Sequence, residues 1–247
     1  MTQQFYVSPE QVMKDRADFA RKGIARGRSV IVVSCSEGIA LVAENPSPSL
    51  HKIGEIYDKI AFAAVGKYNE FESLRQAGVR YADVRGYSYH REDVTARGLA
   101  SVYAQSLGAV FTAEQKPFEV ELAVAEVGTG QADDHLYRLT FDGSIADEPG
   151  YVVMGGQADQ VSASLAAGWS AEAGFSSAIR AAVHALSVNH PAAKPSEEHA
   201  ARPALLDASL LEVAVLDRNS ETMRGTLRAF RRLSAAEVTD ILWGEEI

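Results

Sequence analysis

Cysteine and histidine are both scarce in this 247-residue sequence. The single cysteine, Cys35, cannot form a disulfide within the chain, so the fold needs no oxidising compartment, and we expect it to be a small buried side chain. The six histidines are scattered along the chain: His51, His90, His135, His184, His190 and His199. None has the four-residue helical spacing of a zinc site. We therefore expect no metal site and no cofactor.

Positive charge is also scarce. The sequence has 24 Lys and Arg against 33 Asp and Glu, which gives a formal net charge of −9. Binding to nucleic-acid or lipid phosphates needs clustered Lys and Arg. No apolar stretch approaches the roughly 20 residues that span a bilayer, and Met1–Pro9 is polar and lacks an apolar signal core. We expect a soluble, cytoplasmic protein that binds neither nucleic acid nor membrane.

Nucleotide-binding and serine-hydrolase motifs are missing as well. Gly66 and the pair Gly155–Gly156 each follow a predicted strand and precede a predicted helix, but neither belongs to a phosphate-binding glycine loop. We predict that these glycines form tight strand-to-helix turns. Ser36 and Ser170 lie outside any G-x-S-x-G frame, which excludes an α/β-hydrolase nucleophile elbow.

An N-terminal helix is the best-signalled element that the sequence contains. Ser8, Pro9 and Gln11 read as the N-cap, the first helical residue and the glutamine of a capping box, and Val7 and Val12 are placed for a hydrophobic staple. Apolar residues at helical spacing extend the pattern, so we predict a helix from about Pro9 to Lys22 or slightly beyond. We expect residues 1–8 to form a short tail and residues 9–247 to form a single domain.

The remaining pattern predicts strands broken by helix pairs. We expect strands at about Val30–Val33, Ile39–Ala43, Leu50–Ile56, Ile60–Val65, Phe118–Val124, Leu136–Phe141, Tyr151–Met154, Leu210–Leu216 and Gly225–Arg231. We expect helices at about Tyr68–Gln76, Asp93–Ala113, Gln157–Ala167, Ser176–Leu186 and Ser234–Trp243, and whether the first of these continues past Gly78 stays open. This order does not fit a βαβ repeat; it predicts an α+β fold, a four-layer αββα sandwich of two antiparallel sheets with helices outside. Residues 190–203, rich in Ala, Pro, Glu and Ser, are expected to form a mobile loop.

A sandwich of this kind suits N-terminal nucleophile hydrolases, in which a terminal Thr, Ser or Cys opens the first core strand after cleavage behind a glycine. Here Gly27 is followed by Arg28, which has no nucleophile, and Ser29 comes one place too late. Cleavage would also discard the predicted first helix. We predict no catalytic residue, and two alternatives stay open: a self-processing hydrolase that begins near Ser29, and a stand-alone α+β enzyme with its own cleft.

Long collinear stretches across the chain resemble one known family. They are Phe5–Gln11, Arg21–Arg26, Val42–Ser47, Lys52–Ile53, Glu55–Asp58, Ala63–Phe71, Tyr81–Tyr87 and Asp142–Pro149. In these stretches the sequence resembles the proteasome α-type subunits of actinobacteria. The resemblance spans essentially the whole chain and is weakest across residues 190–203.

The resemblance implies a structural and gating role in a bacterial 20S core particle. In that family, α subunits form a heptameric ring at each end of a barrel, and only the β subunits cleave peptides, with an N-terminal threonine. The α subunit retains an extra N-terminal helix, in agreement with the helix predicted above. A ring-shaped ATPase docks its C-terminal tails between neighbouring α subunits, and it delivers proteins tagged with the ubiquitin-like modifier Pup.

The resemblance also implies site residues. The lysine of the ATPase-tail pocket corresponds to Lys52, and Gly27 and Lys67 correspond to positions near the same pocket. A tail carboxylate against a fixed ammonium gains a charge-assisted hydrogen bond. Taken alone, Lys52 would read as a solvated surface lysine. Arg26 and Arg28 either add positive potential there or are solvated charges at the start of the first strand.

The N-terminal tail would close the axial pore of the ring. The gate residues implied are Gln3, Gln4, Phe5, Tyr6, Val7, Ser8 and Pro9, with Pro9 as the pivot. The alternative for this segment is simple fraying of a chain terminus.

Overall fold

A computed structural model of the chain describes residues 8–188, 190–193, 204–219 and 228–244. The α-helices in those ranges are α1 (Pro9–Ile24), α2 (Tyr68–Ser88), α3 (Ala96–Ala113), α4 (Ala158–Gly168), α5 (Phe175–Ser187) and α6 (Ala235–Trp243). The strands are β1 (Val30–Cys35), β2 (Gly38–Glu44), β3 (Ile53–Tyr57), β4 (Ile60–Gly66), β5 (Val120–Glu126), β6 (His135–Leu139), β7 (Ile145–Asp147), β8 (Tyr151–Met154), β9 (Leu211–Asp217) and β10 (Phe230–Arg232).

The strands form two antiparallel sheets within the described ranges. One sheet has the order β10-β9-β2-β1-β8, and the other has the order β3-β4-β5-β6-β7. One apolar core lies between the sheets, a second between the first sheet and α4, α5 and α6, and a third between the second sheet and α2 and α3. The predicted four-layer αββα sandwich is therefore confirmed.

The central hairpin illustrates why the sequence pattern predicts the sheets. Strands β1 and β2 pair from Val30 opposite Ala43 to Cys35 opposite Gly38. Both strands are buried on both faces, since every residue in them lies in the interior, including Cys35 as expected. A strand covered on both faces reads as a continuous apolar run rather than as alternation.

Helix α1 crosses the end of the sandwich at which β1 begins. The Ser8 hydroxyl caps it by accepting the Gln11 amide at 3.2 Å. Ala20 and Ile24 are buried in the core between the sheets, and Arg16 donates to two carbonyls at the end of α3, at 2.7 and 3.0 Å. The second hydrogen bond of the predicted capping box, from the Gln11 side chain back to the cap residue, is wrong. The Gln11 side-chain amide instead donates forward to Asp15 at 2.6 Å. Val7, the other half of the staple, lies outside the described residues.

The second helix takes the longer of the two extents that the sequence leaves open, because α2 continues past Gly78 to Ser88. Gly78 weakens the helical pattern in sequence, but it lies where α2 crosses α3. A Cβ atom at Gly78 would lie 1.8 Å from the Tyr103 hydroxyl, so only glycine lets the two helices approach this closely. The start of α3 differs from the prediction: it begins at Ala96, and Thr95 caps it through the Gly98 amide at 3.2 Å.

Strand β7 is a further difference, since four strands and not three separate α3 from α4. Its three residues are exposed and pair with β6 at the edge of the sheet. An exposed edge strand needs no alternating apolar pattern, and this explains why the sequence read as a turn and loop there. Of the expected mobile loop, residues 194–203 lie outside the described part of the chain, as do residues 225–227 of the last predicted strand.

Candidate functional site

The connection from α1 to β1, residues 25–29, runs between two glycine turns. A Cβ atom at Gly27 would lie only 3.2 Å from the backbone nitrogen of Gly66, and the Gly27 carbonyl accepts the Gly156 amide at 3.3 Å. Gly66 and Gly155 have φ angles of 109° and 114°, a region that favours glycine. The predicted tight turns are thus confirmed, and they also let the connection lie close to the sheets.

Lys52 lies directly before β3 and reaches this connection. Its Nζ donates to the Arg28 carbonyl at 2.8 Å, while its own carbonyl accepts the Ala64 amide at 3.0 Å. The lysine is half-buried. The structure therefore brings the Lys52 side chain to Arg28 and the adjoining Gly27.

Two buried carboxylates that sequence reasoning missed surround Lys52. Glu212 of β9 accepts the Lys52 backbone amide at 2.9 Å and the Asn45 side-chain amide at 2.7 Å. It also forms an ion pair with Arg232 and lies 3.2 Å from Nδ1 of His51. These bonds fix the backbone of the segment that carries the lysine. The signal in sequence was an acidic residue inside an otherwise apolar strand, since charges are almost never buried unless paired.

Glu44 is the second carboxylate, at the end of β2. Its Oε1 lies 3.1 Å from the Arg28 guanidinium and 3.1 Å from Nε2 of His190. Its backbone amide donates to the Ser29 carbonyl at 3.1 Å, which joins β2 to the same connection. The site therefore consists of a half-buried ammonium and two buried carboxylates that hold the segments around it.

Burial lowers the pKa of Lys52 to about 8, because leaving water disfavours the charged form. The nearby Glu44 and Glu212 carboxylates oppose this by favouring the ammonium, and the positive charge of Arg28 adds to the lowering. Lys52 therefore changes charge within a pH range that proteins tolerate, unlike an ordinary surface lysine.

The other two pocket residues lie nearby but are oriented independently. Lys67 follows Gly66 and caps α2, with its backbone amide on the Glu119 carbonyl at 3.0 Å and its Nζ 3.9 Å from Glu70. Arg26 is exposed. In the part of the chain that the structure describes, neither side chain forms a hydrogen bond or ion pair with Lys52.

Only two of the predicted gate residues are described. Ser8 is the N-cap of α1, and Pro9 is its first residue, which is the place where proline's fixed φ is compatible with a helix start. Gln3, Gln4, Phe5, Tyr6 and Val7 lie outside the described residues.

A separate cleft of about 580 Å³ lies at the opposite end of β1, lined in part by Ser34, Asp134 and Trp169. The Ser34 hydroxyl donates to Asp134 at 2.7 Å, but both carboxylate oxygens of Asp134 are also held by Arg218, at 2.8 and 3.0 Å. A carboxylate neutralised in this way is a poor proton acceptor, so Asp134 is poorly suited to activate Ser34 as a nucleophile.

In residues 8–188, 190–193, 204–219 and 228–244, no group of three or more His, Cys, Asp or Glu side chains is arranged to hold a metal ion. The helices of the same ranges include none that is long and apolar enough to cross a membrane.

Fold and site together define the class of the protein. It is a four-layer αββα sandwich in which an N-terminal helix precedes the first core strand. The sequence matches the family model described as "Proteasome subunit" over residues 24–199, well over half of the chain. The chain belongs to the proteasome subunit family.

Its curated relatives narrow the assignment to the α type. The protein named "Proteasome subunit alpha" of Pseudarthrobacter chlorophenolicus is 75% identical over 242 residues, covering 98% of this chain and 100% of the relative. Proteins of the same name from Renibacterium salmoninarum (75% over 242 residues, 98% of this chain and 96% of the relative) and Kineococcus radiotolerans (59% over 244 residues, 99% of each) agree. This chain is a proteasome α subunit.

Proposed function

We propose that this α subunit is non-catalytic and forms the heptameric outer ring of a cytoplasmic 20S core particle, a threonine protease whose β subunits cleave the substrate. In that role it gates substrate entry and docks a ring ATPase that supplies Pup-tagged proteins. The observation that carries the proposal is the burial of Ala20 and Ile24 of α1 in the core between the sheets.

That burial matters because an N-terminal nucleophile can exist only if everything before it is removed. Cleavage before Ser29 would strip Ala20 and Ile24 from the core and expose the apolar surface they cover, at roughly 25 cal/mol per Å². Ser29 is itself only 7% exposed. A helix that belongs to the core supports a subunit that keeps its N-terminus and leaves catalysis to its partners.

The docking role is supported by the surroundings of Lys52. In the part of the chain that the structure describes, its ammonium donates only to a neutral carbonyl, at 2.8 Å. It can therefore bind an incoming carboxylate without first breaking an ion pair. A carboxylate bound there would form a charge-assisted hydrogen bond.

Native mass spectrometry of the chain with and without its β partner tests the assembly. We expect a particle of α and β rings when the two are mixed, peptide hydrolysis only by the mixture, and retention of residues 9–24 in the intact mass of the α chain. A chain that is trimmed to begin near Ser29 and cleaves peptides unaided would establish the hydrolase alternative. A stable monomer or dimer that does not bind the β partner would establish a stand-alone protein.

Deleting residues 3–8 from the assembled particle tests the gate. We expect peptide hydrolysis to rise, because the axial opening loses the segment that closes it while the β active sites are untouched. Covalent labelling of the β threonine should be equal in both particles, which controls for assembly. Unchanged hydrolysis with equal labelling would contradict a gating role for this tail.

A further inference from the structure

Glu44 is a buried charged residue in an apolar stretch of sequence. It ends the apolar strand β2, its side chain is only 10% exposed, and its Oε1 receives both Arg28 and His190 at 3.1 Å. A buried carboxylate is retained at a cost unless charged or donor groups compensate it, and here both partners come from other segments of the chain.

The ring of His190 has a defined orientation. Its Nδ1 accepts the Ala192 backbone amide at 3.1 Å, and its own backbone amide donates to the Ser187 carbonyl at 3.0 Å. Because Nδ1 acts as the acceptor, Nε2 carries the hydrogen and donates it to Glu44. The turn after α5 therefore fixes the imidazole, and the imidazole fixes the carboxylate.

Glu44 also holds the segment to which the Lys52 ammonium is bound. Its Oε1 pairs with the Arg28 side chain and its backbone amide donates to the Ser29 carbonyl, while the Lys52 Nζ donates to the Arg28 carbonyl between them. That hydrogen bond goes to a neutral carbonyl, while burial and the positive charge of Arg28 both disfavour the ammonium. The Glu44 and Glu212 carboxylates both favour the ammonium, and Glu212 is also in contact with the Arg232 guanidinium.

We propose that Glu44 is a positioning residue that keeps Lys52 charged and in place for a tail carboxylate, and that His190 holds Glu44 in that position and so links the end of α5 to the docking site. The inference rests on the proposed docking function. It gives His190 a role that extends the pocket beyond Lys52, Gly27, Lys67 and Arg26.

The charge of Lys52 can be measured without any tail. The rate at which acetic anhydride acylates Lys52, followed by mass spectrometry across pH in the assembled particle, reports the midpoint of its titration. Glu44→Gln should move that midpoint down by roughly one pH unit, whereas the exposed control Glu92→Gln should leave it in place. An unchanged midpoint in folded Glu44→Gln would overturn the proposal.

Arg28→Gln is a second variant, for which we expect the Lys52 midpoint to shift in the opposite direction. Arg28 is half-exposed and repels the ammonium, so its neutralisation should move the Lys52 midpoint up. This variant decides the question if Glu44→Gln does not fold. A midpoint that moves down or stays constant would contradict the charge arrangement on which the proposal depends.

Docking itself is measured with a fluorescent peptide of the ATPase C-terminus, with its C-terminally amidated form as the reference. At pH 8, a fall of one unit reduces the charged fraction of Lys52 from about half to about a tenth, so Glu44→Gln should weaken carboxylate-dependent binding about fivefold. His190→Ala should weaken it less, and His190→Gln should restore it by supplying an amide donor. His184→Ala, on the exposed face of α5, should have no effect.

The two experiments separate the two ideas. If the wild-type particle binds both peptides equally while the Lys52 midpoint still shifts in Glu44→Gln, the docking proposal fails and the positioning of Lys52 stands. If carboxylate-dependent docking is present but neither Glu44→Gln nor His190→Ala affects it, the positioning inference fails and the docking proposal stands.

Discussion

Replacing Arg218 by methionine is expected to lower the free energy of unfolding by about 3–5 kcal/mol, because it leaves a buried carboxylate without its counterion. The side chains of Arg218 and Asp134 are only 8% and 3% exposed, and the guanidinium contacts both carboxylate oxygens. It also donates to the carbonyls of Gly128, Cys35 and Ser36, at 2.9, 3.2 and 3.3 Å. One side chain thus joins the β1–β2 turn, the segment after β5 and the end of β9.

Urea unfolding of the purified chain measures this effect, and Arg228→Met is the matched control. Arg228 also pairs with a carboxylate, Glu55, but its side chain is 61% exposed, so its loss should change stability by at most about 1 kcal/mol. In the double variant Arg218→Met with Asp134→Leu the loss should be smaller than in Arg218→Met alone, since no unpaired charge stays buried. Equal effects of Arg218→Met and Arg228→Met would show that burial of the first pair contributes nothing.

Replacing Lys52 by alanine should weaken binding of a tail peptide by roughly 10- to 100-fold, the equivalent of about 1.5–3 kcal/mol for a hydrogen bond to a charged group. Particle assembly should be unaffected, because the Lys52 contacts that hold the fold are made by its backbone, to Glu212 and to Ala64. Fluorescence anisotropy of the peptide measures binding, and native mass checks assembly.

The same site predicts a pH dependence with a definite sign. With the pKa of Lys52 lowered to about 8, the ammonium is present below that pH and is lost above it. A peptide carboxylate stays ionised throughout this range, so binding should be strong near pH 7 and should fall progressively above pH 8. Lys59→Ala, at the other end of the β3–β4 hairpin, should keep the wild-type affinity and the wild-type pH profile. A flat profile from pH 7 to 10 would contradict docking on Lys52.

Local signals predicted much of this fold. The cap at Ser8, the proline at the start of α1 and the glycine turns at Gly66 and Gly155 depend on residues within a few positions of one another, and each is confirmed. The rest was decided by contacts with distant elements. The extent of α2 beyond Gly78 is open in the sequence and is decided by packing against α3, and the register of β7 is set by its pairing with β6.

The candidate site shows the same division. Lys52, Gly27, Lys67 and Arg26 were identified through a family resemblance, and their docking role stays a prediction. Glu44 and His190 could not be found in this way, because a carboxylate at the end of an apolar strand carries no sign of its partner. His190 lies 146 positions from Glu44 in the sequence, and Arg28 lies on the other side of a hairpin.

The sequence by itself determined the αββα class, the capped first helix and the arginine that follows Gly27 where a nucleophile would be needed. These properties follow from the hydrogen-bonding groups and the apolar spacing within each element, and from the order of the elements along the chain. Only the tertiary structure decided which charges are buried together, and therefore how Lys52 titrates and which residues hold it. Burial and charge pairing depend on residues more than a hundred positions apart, such as Glu212 and Lys52, which are separated by 160.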